Sequence, residues 1–292
     1  MKKSMIIGVG LIVFGGIMAC IGISMKHDYS GVFWENGKGF VVMKDFHEVQ
    51  TIPEFNKISA DMTDYELEVR AGDKFELELQ GWKSTKKPTF EVKNNELRVK
   101  MNGKFDKIGI GNFSNHDEKV LVIVPKEFAI DEINVKSSGY SDMKLDRVHV
   151  KNLKITGSHN LYTGGAKIDN LVMDTKDGNI VWENSQVLAS SIKATGEGSV
   201  TSISSVLTNQ ELWFATGEFD AEDTIFVGKN MLSVNHGEVD LRNAGYDGLD
   251  IKVEDGNISV GNKDSELAYE ESGTGKDLLV IRGKDTDVDI QK

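Results

Sequence analysis

The sequence predicts an all-β fold, a single-stranded β-solenoid with coils of about 20 residues, preceded by one N-terminal transmembrane helix. Three observations carry this. Glycines recur at Gly139, Gly157, Gly178, Gly198, Gly217, Gly237 and Gly256, in steps of 18, 21, 20, 19, 20 and 19. A leading apolar residue keeps the same beat at Ile133, Leu153, Leu171, Ile192, Leu212, Leu232 and Ile251. The third is a run of 21 residues from Met5 to Met25 without a charge.

That uncharged run matches the roughly 20 residues a helix needs to cross a bilayer. Lys2 and Lys3 lie before it, so the positive-inside rule places the N-terminus in the cytoplasm and the chain beyond about residue 27 outside. A cleaved signal peptide would have a shorter apolar core and a small-residue exit, and Ile21 to Met25 instead extends the apolar run. Lipidation at Cys20 would follow Ile17-Met18-Ala19, but Met18 and the apolar residues after Cys20 depart from that pattern. The reading is a single-pass anchor over 1–26 that holds the protein to the cell membrane.

Residues 27–54 mix aromatics with turn formers and read as a juxtamembrane stalk. Residues 55–130 form an N-terminal β region that caps the solenoid. Period-two alternation marks Lys57–Met62, Tyr65–Arg70, Phe75–Leu79 and Glu96–Lys100 as half-buried strands. Arg70 to Lys74 and Lys93-Asn94-Asn95-Glu96 are the turns between them. Lys119–Val124 is a more buried strand, and Pro125 stops it because proline has no ladder donor. Residues 102–118 read as a loop.

Residues 131–292 form the repeats and a C-terminal cap. One coil cannot bury its apolar side chains, but stacked coils about 4.8 Å apart can. Seven coils give a rod on the order of 30 Å. Like residues then stack, with Leu153, Leu171, Ile192, Leu212 and Leu232 in one internal column. The seven glycines mark the turns, and Asn152, Asn170, Asn209 and Asn230 are placed to form amide ladders. Leu278–Ile281 and Val288–Ile290 cap the open end, with residues 263–277 as an exposed loop before them.

Composition bounds the function. The chain has 292 residues, 30 glycines, 3 prolines and a net charge of −12. Few prolines suit strands that keep their donors, and the acidity argues against nucleic-acid backbone binding. Cys20 is the one cysteine, so disulfides and thiolate chemistry are absent outside the anchor. No Gly-x-Ser-x-Gly nucleophile motif and no His-Glu-x-x-His metal motif occurs.

Several stretches together resemble a known family. They are Phe55-Asn56-Lys57-Ile58-Ser59-Ala60, Glu66 to Asp73, Asn95 to Val99, Leu121 to Lys126 and Ile133 to Gly139. The chain resembles the bacterial "putative adhesin" family of β-strand repeat proteins over most of residues 55–292. The family's Ser-Gly-Asp turn is replaced here by Ser138-Gly139-Tyr140, Thr216-Gly217-Glu218 and Asp255-Gly256-Asn257. The resemblance implies an extracytoplasmic, membrane-tethered β-solenoid, often in Gram-positive bacteria, with some relatives tied to envelope stress responses. It implies no ligand.

Candidate sites are few. Trp82, Lys83, Lys86 and Lys87 belong to the one basic, aromatic loop, suited to an anionic wall polymer or headgroup. Asp285, Asp287 and Asp289 share one strand face, either as calcium ligands or as charges that guard an edge strand. His159 and His236 read as solvated turn residues. Trp182, Trp213, Phe214, Phe219 and Phe226 are split between an exposed ridge and the core.

The expected function is a non-enzymatic, membrane-tethered binding or scaffold module whose partner is an envelope protein or wall polymer, with no cofactor, catalytic residue or metal. The alternatives are an accessory in envelope stress sensing and a carbohydrate-active solenoid enzyme. The enzyme would need two carboxylates about 5–10 Å apart across a cleft.

Overall fold

Buried and exposed residues alternate strand after strand in the computed structural model. It describes residues 8, 14–15, 32–35, 39–42, 45–63, 65–82, 87–100, 109–110, 118–271, 273 and 275–291. The anchor expected over 5–25 lies outside these, apart from the helical residues Gly8, Phe14 and Gly15. Among the described residues no helix is long and apolar enough to cross a membrane.

In chain order the first strands are β1 (Val32–Glu35), β2 (Gly39–Val42), β3 (Asp45–Thr51), β4 (Lys57–Met62), β5 (Glu66–Gly72), β6 (Glu76–Trp82), β7 (Thr89–Lys93), β8 (Glu96–Lys100), β9 (Gly109–Ile110) and β10 (Lys119–Pro125). Then come β11 (Ala129–Ser137), β12 (Ser141–Asp146), β13 (His149–Thr156), β14 (His159–Gly164), β15 (Lys167–Thr175), β16 (Gly178–Glu183), β17 (Gln186–Val187), β18 (Ser190–Ile203) and β19 (Val206–Thr208). The last are β20 (Gln210–Glu222), β21 (Ile225–Val227), β22 (Lys229–Arg242), β23 (Gly248–Asp255), β24 (Ile258–Val260), β25 (Lys263–Ser265), β26 (Ala268–Glu271) and β27 (Leu278–Gln291).

The chain forms two compact units. The smaller comprises residues 1–43 and 107–115. In it β1 pairs antiparallel with β2 and with β9, so strands occur in stretches read as stalk and loop. The larger comprises residues 44–106 and 116–292 and is the solenoid.

Three parallel sheets wrap its core. The first runs β8–β4–β11–β13–β15–β18–β20–β22–β27–β23, ten strands deep rather than the seven expected coils. The second runs β10–β5–β12–β14–β16–β18–β20–β22–β27–β24. A short third sheet joins β15, β17, β19 and β21. Antiparallel strands close the ends: β6, β3 and β7 at one, β25 and β26 at the other. They give the outermost parallel strands a partner, which blunts the exposed ladder. The tight turn between β7 and β8 falls on Asn94 and Asn95, both with positive φ (52° and 60°), as a two-residue hairpin of this kind requires.

Register fixes the core columns. Val135, Ile155, Met173, Ile192, Leu212, Leu232, Ile281 and Ile251 stack in order. The column expected from the apolar beat is therefore split. Ile133, Leu153 and Leu171 sit one inward position earlier, and their column continues as Ser190 and Gln210. The Ser190 hydroxyl donates to Gln210 Oε1, and Gln210 in turn bonds the chain's own backbone. The Gln210 amide donates to the Val187 and Thr208 carbonyls at 2.8 and 2.7 Å, and the Gln210 N–H donates to Asn230 Oδ1 at 3.0 Å. Burial without such partners would cost a few kcal/mol each.

In the second sheet, Met143, Leu161, Ile180, Val200, Phe219, Val239, Val288 and Ile258 stack. Beside them Trp182 lies fully buried between Thr163 and Ser202. The small neighbours make room for the indole.

Two expectations about the C-terminal part change. β27 does not cap the stack but is inserted between β22 and the β23–β24 coil. The region expected as an exposed loop holds β25 and β26, which do the capping.

Candidate functional site

The repeat glycines form a corner of the solenoid, but they are not its tight turns. Gly139, Gly157 and Gly256 lie in bends between strands, Gly178 opens β16, and Gly198, Gly217 and Gly237 lie inside β18, β20 and β22. Gly178, Gly198, Gly217 and Gly237 pair in register, each opposite the next. The backbone bends there without leaving the ladder, and Gly217 and Gly237 each lie too close to the carbonyl of the preceding glycine for a side chain.

The left-handed turns occupy another corner. Arg147, Gly165, Asn184, Ser204, Asp223, Asn243 and Gly261 have φ between 50° and 62°. Each donates its N–H to a carbonyl of the next layer, as Asn184 does to Ile203 and Ser204 to Glu222. Just beyond this corner the buried hydroxyls of Ser185, Ser205 and Thr224 accept or donate backbone hydrogen bonds. Only two of the seven turn residues are glycines, so a glycine count does not find this period.

A groove runs along the surface beside the glycine corner. Two cavities, of about 370 and 390 Å³, share Tyr140 as a wall. The first is lined by Tyr65, Glu66, Asp142 and Lys144, and the second by Asp177, Asn179, Glu197, Ser199 and Glu218 around Gly178, Gly198 and Gly217. Tyr140 is 55% exposed, yet its hydroxyl donates to Asn160 Oδ1 at 2.9 Å. Asn160 also donates to Asp142 Oδ1 at 2.8 Å and accepts the Asn179 N–H at 2.9 Å. Ser199 Oγ donates to Asn179 Oδ1 at 2.8 Å. A polar chain thus runs along the groove from layer to layer and fixes the ring of Tyr140.

Charge in the groove is uneven. Glu66 is nearly buried and held by Lys144 at 2.6 Å and Lys119 at 3.2 Å. Burial pulls the Lys144 ammonium down, but the hydrogen bond and charge of Glu66, with Asp142 and Glu68, hold it above its ordinary value. Asp177, Glu197 and Glu218 add negative charge in the second cavity. Beyond it, Glu218, Glu238 and Asp287 lie side by side, as do Asp220, Asp240 and Asp289. Burial raises the pKa of both Asp220 and Glu238, and neighbouring carboxylates raise them further.

The residues singled out from sequence are dispersed. Lys87 is exposed and ion-paired with Glu48. Trp82 ends β6 opposite Asp45, while its side chain and Lys83 and Lys86 lie outside the described residues. Asp285, Asp287 and Asp289 lie on β27, an interior strand, so they guard no edge. Asp285 lies 3.6 Å from His236, and Asp287 accepts the Asn257 N–H at 2.8 Å. Among the described residues no three His, Cys, Asp or Glu side chains are grouped to hold a metal ion.

His236 is exposed as expected, but His159 is 0% exposed. Neither of its ring nitrogens has a partner in hydrogen-bonding geometry. Burial pushes the imidazole down to about 4, against a smaller upward pull from the backbone of Thr156 and Ser141. Trp182, Phe214, Phe219 and Phe226 are core, and Trp213 alone of that set faces outward, with Lys193 Nζ 5.7 Å from its ring centroid. Of the four asparagines, Asn152 and Asn170 meet at 3.5 Å, while Asn209 and Asn230 accept backbone N–H groups.

A comparison with curated proteins finds no match. Similar solved structures include a "putative cell adhesion protein" from Clostridium sporogenes, 12% identical over 85% of this chain and 99% of that one, with a TM-score of 0.31. A "putative adhesin" from Bacteroides fragilis is 16% identical over 85% of this chain and 97% of that one, with a TM-score of 0.38. A "putative adhesin" from Parabacteroides merdae is 12% identical over 88% and 98%, with a TM-score of 0.34. The model of one family, Toastrack DUF4097, matches residues 55–291 and so takes in the core columns, both corners and the groove. The chain belongs to the Toastrack DUF4097 family.

Proposed function

We propose that this protein is a non-enzymatic binding or scaffold module, tethered to the membrane through residues 5–25 and directed at an envelope component outside the cell. The observation that carries the reading is the groove on the glycine corner. It follows the stack across several layers and is walled by an anchored tyrosine, amides, hydroxyls and carboxylates. A long, regular groove of this kind suits an extended partner rather than a small substrate. The carboxylates near it support the same view. Glu218, Glu238 and Asp287 succeed one another along one sheet face rather than facing each other across a cleft, the arrangement glycoside cleavage uses. The uncharged run after Lys2 and Lys3 supports the tether.

The test is capture from envelope extracts by the full-length chain in detergent, with Tyr140→Ala as the control. The expected result is one or more envelope components retained by the wild type and depleted with the variant. Equal recovery by both would remove the groove as the binding surface, and no recovery by either would sink the reading.

A further inference from the structure

The groove itself points to a ligand class. We infer that it takes an uncharged glycan strand laid along the stack, an assignment that rests on the binding-module reading above. Gly178 and Gly198 on its floor are buried, so the surface a polymer meets is made by the side chains that follow the glycines. The residues after each glycine, Asn179, Ser199 and Glu218, repeat at the strand spacing of about 4.8 Å. Amides, hydroxyls and carboxylates at a regular interval suit a polymer with hydroxyls on every unit, since each group can both fix orientation and replace water.

Tyr140 supplies the apolar part. Its ring is more than half exposed, while its hydroxyl is tied to Asn160 Oδ1. A ring held in place before the ligand arrives loses little freedom on binding, and its face matches the C–H face of a pyranose. It stands where the two cavities meet, so a strand crossing from one to the other passes over it.

Charge narrows the choice. Asp142, Asp177, Glu197 and Glu218 line the groove, and the one lysine there, Lys144, is already held by Glu66. A polyanion such as a phosphate-linked wall polymer would be repelled. A cationic peptide would be attracted mainly by Asp177, Glu197 and Glu218, three carboxylates on an open groove, where salt screens the attraction. The neutral contacts through Tyr140, Asn179 and Ser199 remain at any ionic strength.

The experiment titrates the full-length chain in detergent with chitohexaose, with hexalysine and with polyphosphate, at low and high salt. The expected result is saturable chitohexaose binding that changes little with salt. Tyr140→Ala should weaken it roughly tenfold or more, the scale of one lost aromatic platform, and Asn179→Ala should weaken it less, both with unchanged melting curves. Absent chitohexaose binding, or equal binding by Tyr140→Ala, overturns the assignment. Salt-sensitive hexalysine binding without saccharide binding also overturns it, in favour of a cationic partner. If envelope extracts still yield a partner through Tyr140 while chitohexaose fails, the glycan class is wrong and the binding-module reading stands.

Discussion

A Cβ on Gly237 would lie 1.7 Å from the carbonyl oxygen of Gly217. The contact repeats one layer earlier, where a Cβ on Gly217 would lie 1.7 Å from the carbonyl oxygen of Gly198. The blocking atom each time is backbone, which cannot rotate aside as a side chain would. Glycine at 217 and 237 is thus a steric requirement of the corner.

Gly237→Ala should therefore cost about 3 kcal/mol or more, because it combines the clash with a φ of 147° that alanine rarely adopts. In a chain of this size that corresponds to a fall in Tm of roughly 6–12 °C. Gly164→Ala is the matched control. It has nothing within 4 Å of the new methyl group and should change stability by about 0.5 kcal/mol or less. Thermal melts of the two variants check the contrast, and indistinguishable melts would mean that the corner is not packed as described.

The inserted strand makes a second prediction. β23 and β24 reach the rest of the parallel stack through β27, which separates them from β22. Asp277 pins the entry to that strand, accepting N–H donations from Asp247 at 2.8 Å and, through Oδ1, from Gly228 at 2.8 Å. A chain ending at residue 277 should lose more than one layer. Residues 248–271 should become protease-sensitive and exchange their amides quickly, while β12 to β18 stay protected. Continued protection of β23 in the truncated chain would show that the outer coil can dock directly on β22.

How far the fold was legible in the sequence depends on the kind of residue involved. The alternation in β4 and β8, the Asn94-Asn95 turn and the stop at Pro125 were readable, because period two and turn chemistry are local. β5 departs from its half-buried reading, because Glu66 and Glu68 are buried and ion-paired with Lys144 and Lys119. The apolar beat misplaced Ile192 in the column of Leu171. The true successor of Leu171 is Ser190, buried and hydrogen-bonded to Gln210, and a hydrophobic pattern passes over a polar residue. The left-handed corner escaped for a similar reason, since Arg147 and Ser204 carry no glycine signal there. The insertion of β27 is a long-range pairing between residues about 50 apart, such as Leu232 and Ile281, and nothing in either strand alone announces it. The groove was missed because Tyr140, Asn179 and Ser199 are separated in sequence and meet only through stacking.

The buried imidazole of His159 leads to the last prediction. Its pKa falls from 6.5 to about 4 on folding, so the folded chain refuses a proton that the unfolded chain accepts. The sign follows from linkage. The contribution is fully present above about pH 6.5 and is lost as pH falls toward about 4, for a total of about 3 kcal/mol. Between pH 7 and pH 5 the loss is about 2 kcal/mol. Asp220 and Glu238 work in the opposite sense. Their folded pKa values are raised, first by burial and then by Asp240, Glu218 and, for Glu238, Asp220 and Asp287 as well. Acid therefore relieves them. Partly exposed cross-strand charges are worth only about 0.2–1 kcal/mol each, and this relief comes in the carboxylate range, below most of the histidine window. His159 should dominate down to about pH 5. Urea unfolding at pH 7, 6 and 5 should show His159→Leu with a flatter dependence than the wild type, whatever its stability at pH 7. Asp240→Asn should raise stability at pH 7 by a few tenths of a kcal/mol and leave the slope above pH 5 unchanged. Parallel slopes for wild type and His159→Leu would mean that the ring reaches water in the folded state.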